Sequence, residues 1–223
     1  MKKFLALLLV AILLSACNSP VTDDITEVPL FAELPDDDIY LYNDFLRYKG
    51  KDIPFEWEGI TPRQILPELL YHDFDGDGKK ELAVTVYYGS GTGIALMSLH
   101  ILKIEENTNA FTEYVISVDN IEDWFTEPIS ATLSEDGESI VLHFDGENHV
   151  ISEPVLTGYT FSGVGTSYTV LFAFDGTRIK ATIALAMLYE EGVFAHYFGE
   201  VHADVVFDGE GFRLENYSVS FGE

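Results

Sequence analysis

The chain has a single cysteine in 223 residues, so no intramolecular disulfide can brace it. Basic residues are scarce: 12 Lys and Arg stand against 38 Asp and Glu, a formal charge of −26. A surface of that sign repels nucleic acid and anionic lipid headgroups and attracts divalent cations. Gly-x-Ser-x-Gly, His-Glu-x-x-His and a nucleotide-binding Gly-Lys-Ser/Thr loop are all missing. With them go the usual signatures of serine hydrolases, zinc peptidases and nucleotide enzymes. So many acids are present that no glycosidase carboxylate pair can be singled out. Apolar residues, by contrast, are plentiful. At 47% of the chain they are ample for a core, which excludes global disorder.

The longest apolar run near the start is Phe4 to Leu14, preceded by Lys2 and Lys3. Eleven residues are too few for a permanent membrane span and suit the apolar core of a signal peptide. Leu14-Ser15-Ala16-Cys17 follows, placing the only cysteine at its end. This ending resembles the lipobox of bacterial lipoproteins. The resemblance implies removal of residues 1–16 and attachment of a diacylglycerol to the Cys17 thiol. Stable anchoring then needs two or three acyl chains on that residue. The expected location is the outer face of a bacterial cell membrane, with the lipid on Cys17 as the membrane partner. Without Lys2 and Lys3 the mature chain carries ten basic residues against 38 acidic ones, a charge of −28.

Residues 17–38 read as the lipidated cysteine and a flexible acidic tether. From residue 18 they hold three prolines and seven acids with no sustained period. One globular domain is expected over 39–223, with 39–104 as a helix plus a loop-bearing hairpin and 111–223 as antiparallel sheet. Ile39, Tyr42, Phe45 and Leu46 recur at three- and four-residue spacing and predict a short helix over 39–48, stopped by Gly50. Thr61-Pro62 reads as a second helix start.

The most specific stretch is Asp73-Phe74-Asp75-Gly76-Asp77-Gly78-Lys79-Lys80-Glu81. Its carboxylates fall at relative positions 1, 3, 5 and 9. Ca²⁺ takes six to eight oxygens at about 2.3–2.6 Å, and alternating acids on a tight loop can supply them. Mg²⁺ fits less well because it dehydrates reluctantly. Four carboxylates this close repel one another when no cation is present. The loop is not an EF-hand, since position 12 is Val84 rather than a bidentate Glu. It resembles the Asp-x-Asp-x-Asp-Gly-x-x-Asp/Glu calcium loop of FG-GAP and VCBS repeats. Residues 40–104 are also similar to a class of bacterial cell-surface lipoproteins. The similarity rests on Tyr42-Asn43-Asp44-Phe45-Leu46, on Asp73 to Leu82 and on the glycine-rich Gly89–Gly93. The resemblance implies Asp73, Asp75, Asp77 and Glu81 as side-chain ligands and the Lys79 carbonyl as a fifth. Only one full copy of the loop is present, so a complete propeller is not expected.

After the loop, strands are expected over 81–88 and 94–104, joined by Gly89–Gly93. A strand over 111–118 and a helical turn at 121–125 follow. Asp136-Gly137, Asp145-Gly146, Asp175-Gly176 and Asp208-Gly209 then punctuate the chain as hairpin turns. A meander is expected over 168–174, 178–189, 193–207 and 212–221. Alanines in Thr182–Leu188 favour helix and the flanking turns favour strand; strand is the choice. His196 and His202 read as ordinary strand histidines.

The fold class is therefore mainly β, of α+β type: an antiparallel meander with one or two short N-terminal helices and a calcium loop. The functional expectation is a non-catalytic binding or structural module at the cell envelope, stabilised by Ca²⁺ and able to take a protein or glycan ligand. The alternative is an envelope hydrolase with carboxylates in a cleft.

Overall fold

Alternation rather than helical spacing organises this chain. The computed structural model describes residues 29–57, 65–91, 94–105, 108, 110–125, 129–151, 156–190 and 196–221. Among these residues lie fifteen strands and two short 3-10 turns. Among the described residues, no helix is long and apolar enough to cross a membrane.

A four-stranded antiparallel sheet comes first: β1 (Leu30–Leu34), β2 (Ile39–Tyr42), β3 (Phe45–Tyr48) and β4 (Lys51–Pro54), in that spatial order. This corrects the helix expected over 39–48. The same stretch also alternates. Ile39 and Leu41 are buried on β2, and Leu46 and Tyr48 on β3, with half-buried residues between them. Aromatic and β-branched residues favour a pleated surface, and Asn43-Asp44 supplies the turn. Gly50 closes the next hairpin instead of stopping a helix. Lys49 and Gly50 both take positive φ, 48° and 72°, as a two-residue turn of the primed type requires. The expected tether also shortens. Leu30–Leu34 forms β1, and its Phe31, Ala32 and Leu34 pack on the core, ahead of the expected boundary at 39. The Thr61-Pro62 helix start lies outside the described residues.

The main sheet has eight strands. Its path runs β15 (Phe212–Phe221), β14 (His196–Phe207), β13 (Arg178–Tyr189), β12 (Phe161–Asp175), β7 (Ile94–Glu105), β6 (Glu81–Gly91) and β5 (Glu68–His72). The eighth, β8 (Ala110–Ser117), pairs with β7 over Ser98–Glu105. The opposite end of β7 meets β12 in parallel at Ala95 and Leu96. Since β6 runs along the whole other edge of β7, one edge of β7 forks between β12 and β8. Bulges in β12 and β14 help curl the sheet. A third sheet, β9 (Ser130–Leu133), β10 (Ile140–Phe144) and β11 (Glu147–Ile151), covers part of the curl. Thr182–Leu188 is strand, as expected, and Asp145-Gly146 turns β10 into β11 with φ of 50° and 73°.

Three apolar clusters hold the sheets together. Ala83, Leu99, Ile101, Ile183 and Val205 fill the inside of the curl. Leu82, Val84, Val86 and Leu102 face outward and pack on Ile39, Leu41 and Leu46 of the small sheet. Strand β6 is thus buried on both faces, which is why it reads as an unbroken apolar run. Leu185, Met187 and Val201 meet Ile140 and Leu142 in the third cluster. Burying each such side chain contributes about 1.5–3 kcal/mol.

Candidate metal centre

The acidic loop closes the β5–β6 hairpin. His72 pairs with Glu81 across the strands, so residues 73–80 bulge out between two fixed ends. Gly76 and Gly78 sit at φ of 76° and 87°, conformations a side chain would strain. Their amides fold onto the first acid: Gly76 N–H donates to Asp73 Oδ1 at 2.8 Å and Gly78 N–H to Oδ2 at 3.0 Å. Asp77 N–H donates to Asp75 Oδ1 at 3.0 Å, and Lys79 N–H to Asp77 Oδ1 at 2.8 Å. Glu81 is buried at 2% exposure and accepts the Phe74 N–H at 2.9 Å, clasping the neck of the loop. Each acid therefore bonds a backbone amide of its own loop.

These bonds bring three carboxylates together. One oxygen from each of Asp73, Asp75 and Glu81 lies within 4.8 Å of the others. Asp77 is outside that group, with Oδ1 held by the Lys79 amide. Lys79 joins through its N–H. The donor set is hard and anionic, which fits Ca²⁺ chemistry. Burial pushes the Glu81 carboxyl upward, and the Asp75 charge adds to the effect. A cation would relieve both.

A protein cation is already nearby. Lys103 of β7 donates to Asp75 Oδ2 at 2.5 Å, and the Asp75 side chain is only 4% exposed. This hydrogen bond holds the Asp75 carboxyl below its ordinary range. The β14–β15 turn presses on the same pair: a Cβ on Gly209 would fall 2.8 Å from Asp75 Oδ2 and 3.1 Å from Lys103 Nζ. The loop is thus tied to both halves of the main sheet. No protein family, curated protein or solved structure matches the chain.

Two hollows flank the loop. The smaller, about 300 Å³, has His72, Asp73 and Phe74 on one wall and Asp204 and Asn216 on the other. Asp204 is held below its ordinary range by Lys180 and then by Asn216, which reaches it from a left-handed φ of 55°. The larger hollow, about 820 Å³, lies beside Asp77–Glu81.

Sequence reasoning missed a relay on the outer face of β7. Ser98 Oγ lies 2.7 Å from His100 Nε2, and His100 Nδ1 lies 2.7 Å from Glu113 Oε1 on β8. Trp57 donates to the same Glu113 oxygen at 2.6 Å and packs over the imidazole at 4.4 Å. The spacing is that of a serine–histidine–acid triad, but the burial is inverted. The acid is the exposed member and the serine is 6% exposed, and the relay links β7, β8 and Trp57. Strict alternation in Ser98-Leu99-His100-Ile101 was the signal that could have shown it. His202 hydrogen-bonds Thr182 and Ser220 across neighbouring strands, as an ordinary strand histidine does. Cys17 lies outside the described residues.

Proposed function

We propose that this protein is a lipoprotein held to the outer face of a bacterial cell membrane through Cys17. Its β-rich domain takes Ca²⁺ at the acidic loop and serves as a non-catalytic binding or structural module of the envelope. The observation that carries the metal reading is the convergence of Asp73, Asp75 and Glu81 on one point, with oxygens within 4.8 Å. These three residues would hold the ion, and Asp77 and the Lys79 carbonyl would complete the shell that the sequence pattern implies. The ion would supply charge neutralisation, not chemistry on a substrate. Its place at the neck of a hairpin braced by Lys103 and Gly209 supports a structural role.

The test is thermal unfolding of the chain without residues 1–16, in chelator and in millimolar Ca²⁺. Binding to the native state alone adds RT ln(1 + [L]/Kd), about 2.7 kcal/mol at a hundredfold excess over Kd. For a domain of this size that is a rise of roughly 5–11 °C. Glu81→Gln is expected to lose most of the rise. An unchanged midpoint in the parent protein, or an equal rise in the variant, defeats the metal reading.

A further inference from the structure

Cations are few in this chain, yet they gather in one place. Of the ten basic residues beyond the leader, Lys79, Lys80 and Lys103 line the 820 Å³ groove beside the loop. A fourth, Lys49, stands 4.9 Å from the ring centre of Tyr48, itself a lining residue. Lys80 stands 5.0 Å from the ring centre of the other lining tyrosine, Tyr71. The two tyrosine hydroxyls meet at 3.0 Å. One proton is used in that bond, which leaves the second as a donor. The groove also contains Asp77, Glu81 and Glu105; they accept bonds from the Lys79 amide, the Phe74 amide and the Thr108 hydroxyl but keep their charge, which Lys79, Lys80 and Lys103 match in number. The Lys80 ammonium lies 3.4 Å from Asp37, a loose pair between half-exposed side chains. Ammonium and hydroxyl donors thus face a hollow whose carboxylates are matched in number by lysines.

We propose that this groove binds an oxoanion carried on a hydroxylated small molecule, of the sugar-phosphate class. Lys79 and Lys80 supply the charge, and the Tyr48–Tyr71 pair and Thr112 supply hydroxyls. A volume of about 820 Å³ is within the usual range for small-molecule sites and well above what one phosphate fills. The anion therefore arrives attached to a larger polar body. The site does not depend on a metal in the loop.

The test is calorimetric titration with glucose 6-phosphate in chelator, with glucose as the uncharged control. The chelator separates this outcome from the Ca²⁺ reading. Expected are saturable binding of the phosphate ester, markedly weaker binding of glucose, and about a tenfold loss for each of Lys79→Ala and Lys80→Ala. Both lysines are exposed, so the variants keep the fold, and Tyr71→Phe probes the hydroxyl pair separately. No saturable binding, equal binding of glucose, or unchanged affinity in both lysine variants overturns the proposal. Binding of the Cys17→Ser protein to phosphatidylglycerol vesicles through Lys79 and Lys80, without binding of the sugar phosphate, also overturns it. That result would assign the patch to a lipid surface.

Discussion

Lys103 Nζ donates to Asp75 Oδ2 at 2.5 Å, and that carboxylate is almost wholly covered. The pair is built from β7 and the loop, 28 residues apart. Removing the lysine leaves a buried charge without its partner, which costs more than a surface ion pair would. Lys103→Ala is expected to lower stability in chelator by about 1–3 kcal/mol, read by urea unfolding. Millimolar Ca²⁺ should restore part of that loss, because the ion and the ammonium answer to the same carboxylate. No loss in chelator would show that the pair contributes nothing.

Gly209 gives a second test of the same contact. At φ +94° an alanine is strained, and its Cβ would intrude on Asp75 and Lys103. Gly146 also has positive φ, 73°, but open space around its missing Cβ. Gly146→Ala should cost about 1 kcal/mol from the backbone alone. Gly209→Ala should cost more, and only that variant should weaken the response to Ca²⁺. Equal losses in the two variants would show that crowding at Asp75 is immaterial.

Glu113 sets an acid limit. Burial pushes its carboxyl up, but hydrogen bonds from His100 and Trp57 outweigh that and hold it below the ordinary carboxylate value. A carboxyl depressed by folding stabilises fully above its unfolded value and loses the contribution as pH falls through the folded one. Glu113→Gln should therefore be less stable than the parent at pH 7 by about 1 kcal/mol. The gap should narrow below pH 4.5 and close in stronger acid. Urea midpoints from pH 7 to 3 measure it, and a gap independent of pH would contradict the assignment.

The anchor is tested in cells. Cys17→Ser should move the protein from the membrane pellet to the soluble extracytoplasmic fraction, since no thiol remains for a lipid. A variant that still sediments with membranes would remove the lipobox reading.

The β character of the chain was legible because β6, β7 and the last four strands are long and bounded by Asp-Gly or glycine-rich turns. The 39–48 segment misled because Ile39, Tyr42, Phe45 and Leu46 satisfy a helical spacing while Ile39, Leu41, Leu46 and Tyr48 satisfy a strand spacing. Ten residues are too few to separate the periods, and contact with Leu82 and Val84 decided it. The loop acids were legible from local spacing. Lys103 and Gly209 were not, because their approach to Asp75 depends on how distant strands pair. The Ser98–His100–Glu113 relay was hidden for the same reason: its acid arrives from the next strand.

The forked edge of β7 has a mechanical consequence. Only the Ala95–Thr169 and Leu96–Val170 pairs stitch the early strands to the late meander along that edge. Elsewhere among the described residues the halves meet through side chains inside the curl and through an isolated backbone bridge between Phe125 and Leu214. Backbone amides in β6–β8 and in β13–β14 belong to long antiparallel ladders, whereas this parallel seam is two rungs long. Pulled or warmed, the protein should part there first, as two cooperative halves that open along a zip. The loop bonds Lys103 of one half and lies close against Gly209 of the other, across that parting line. A cation seated there would act as a rivet between the halves.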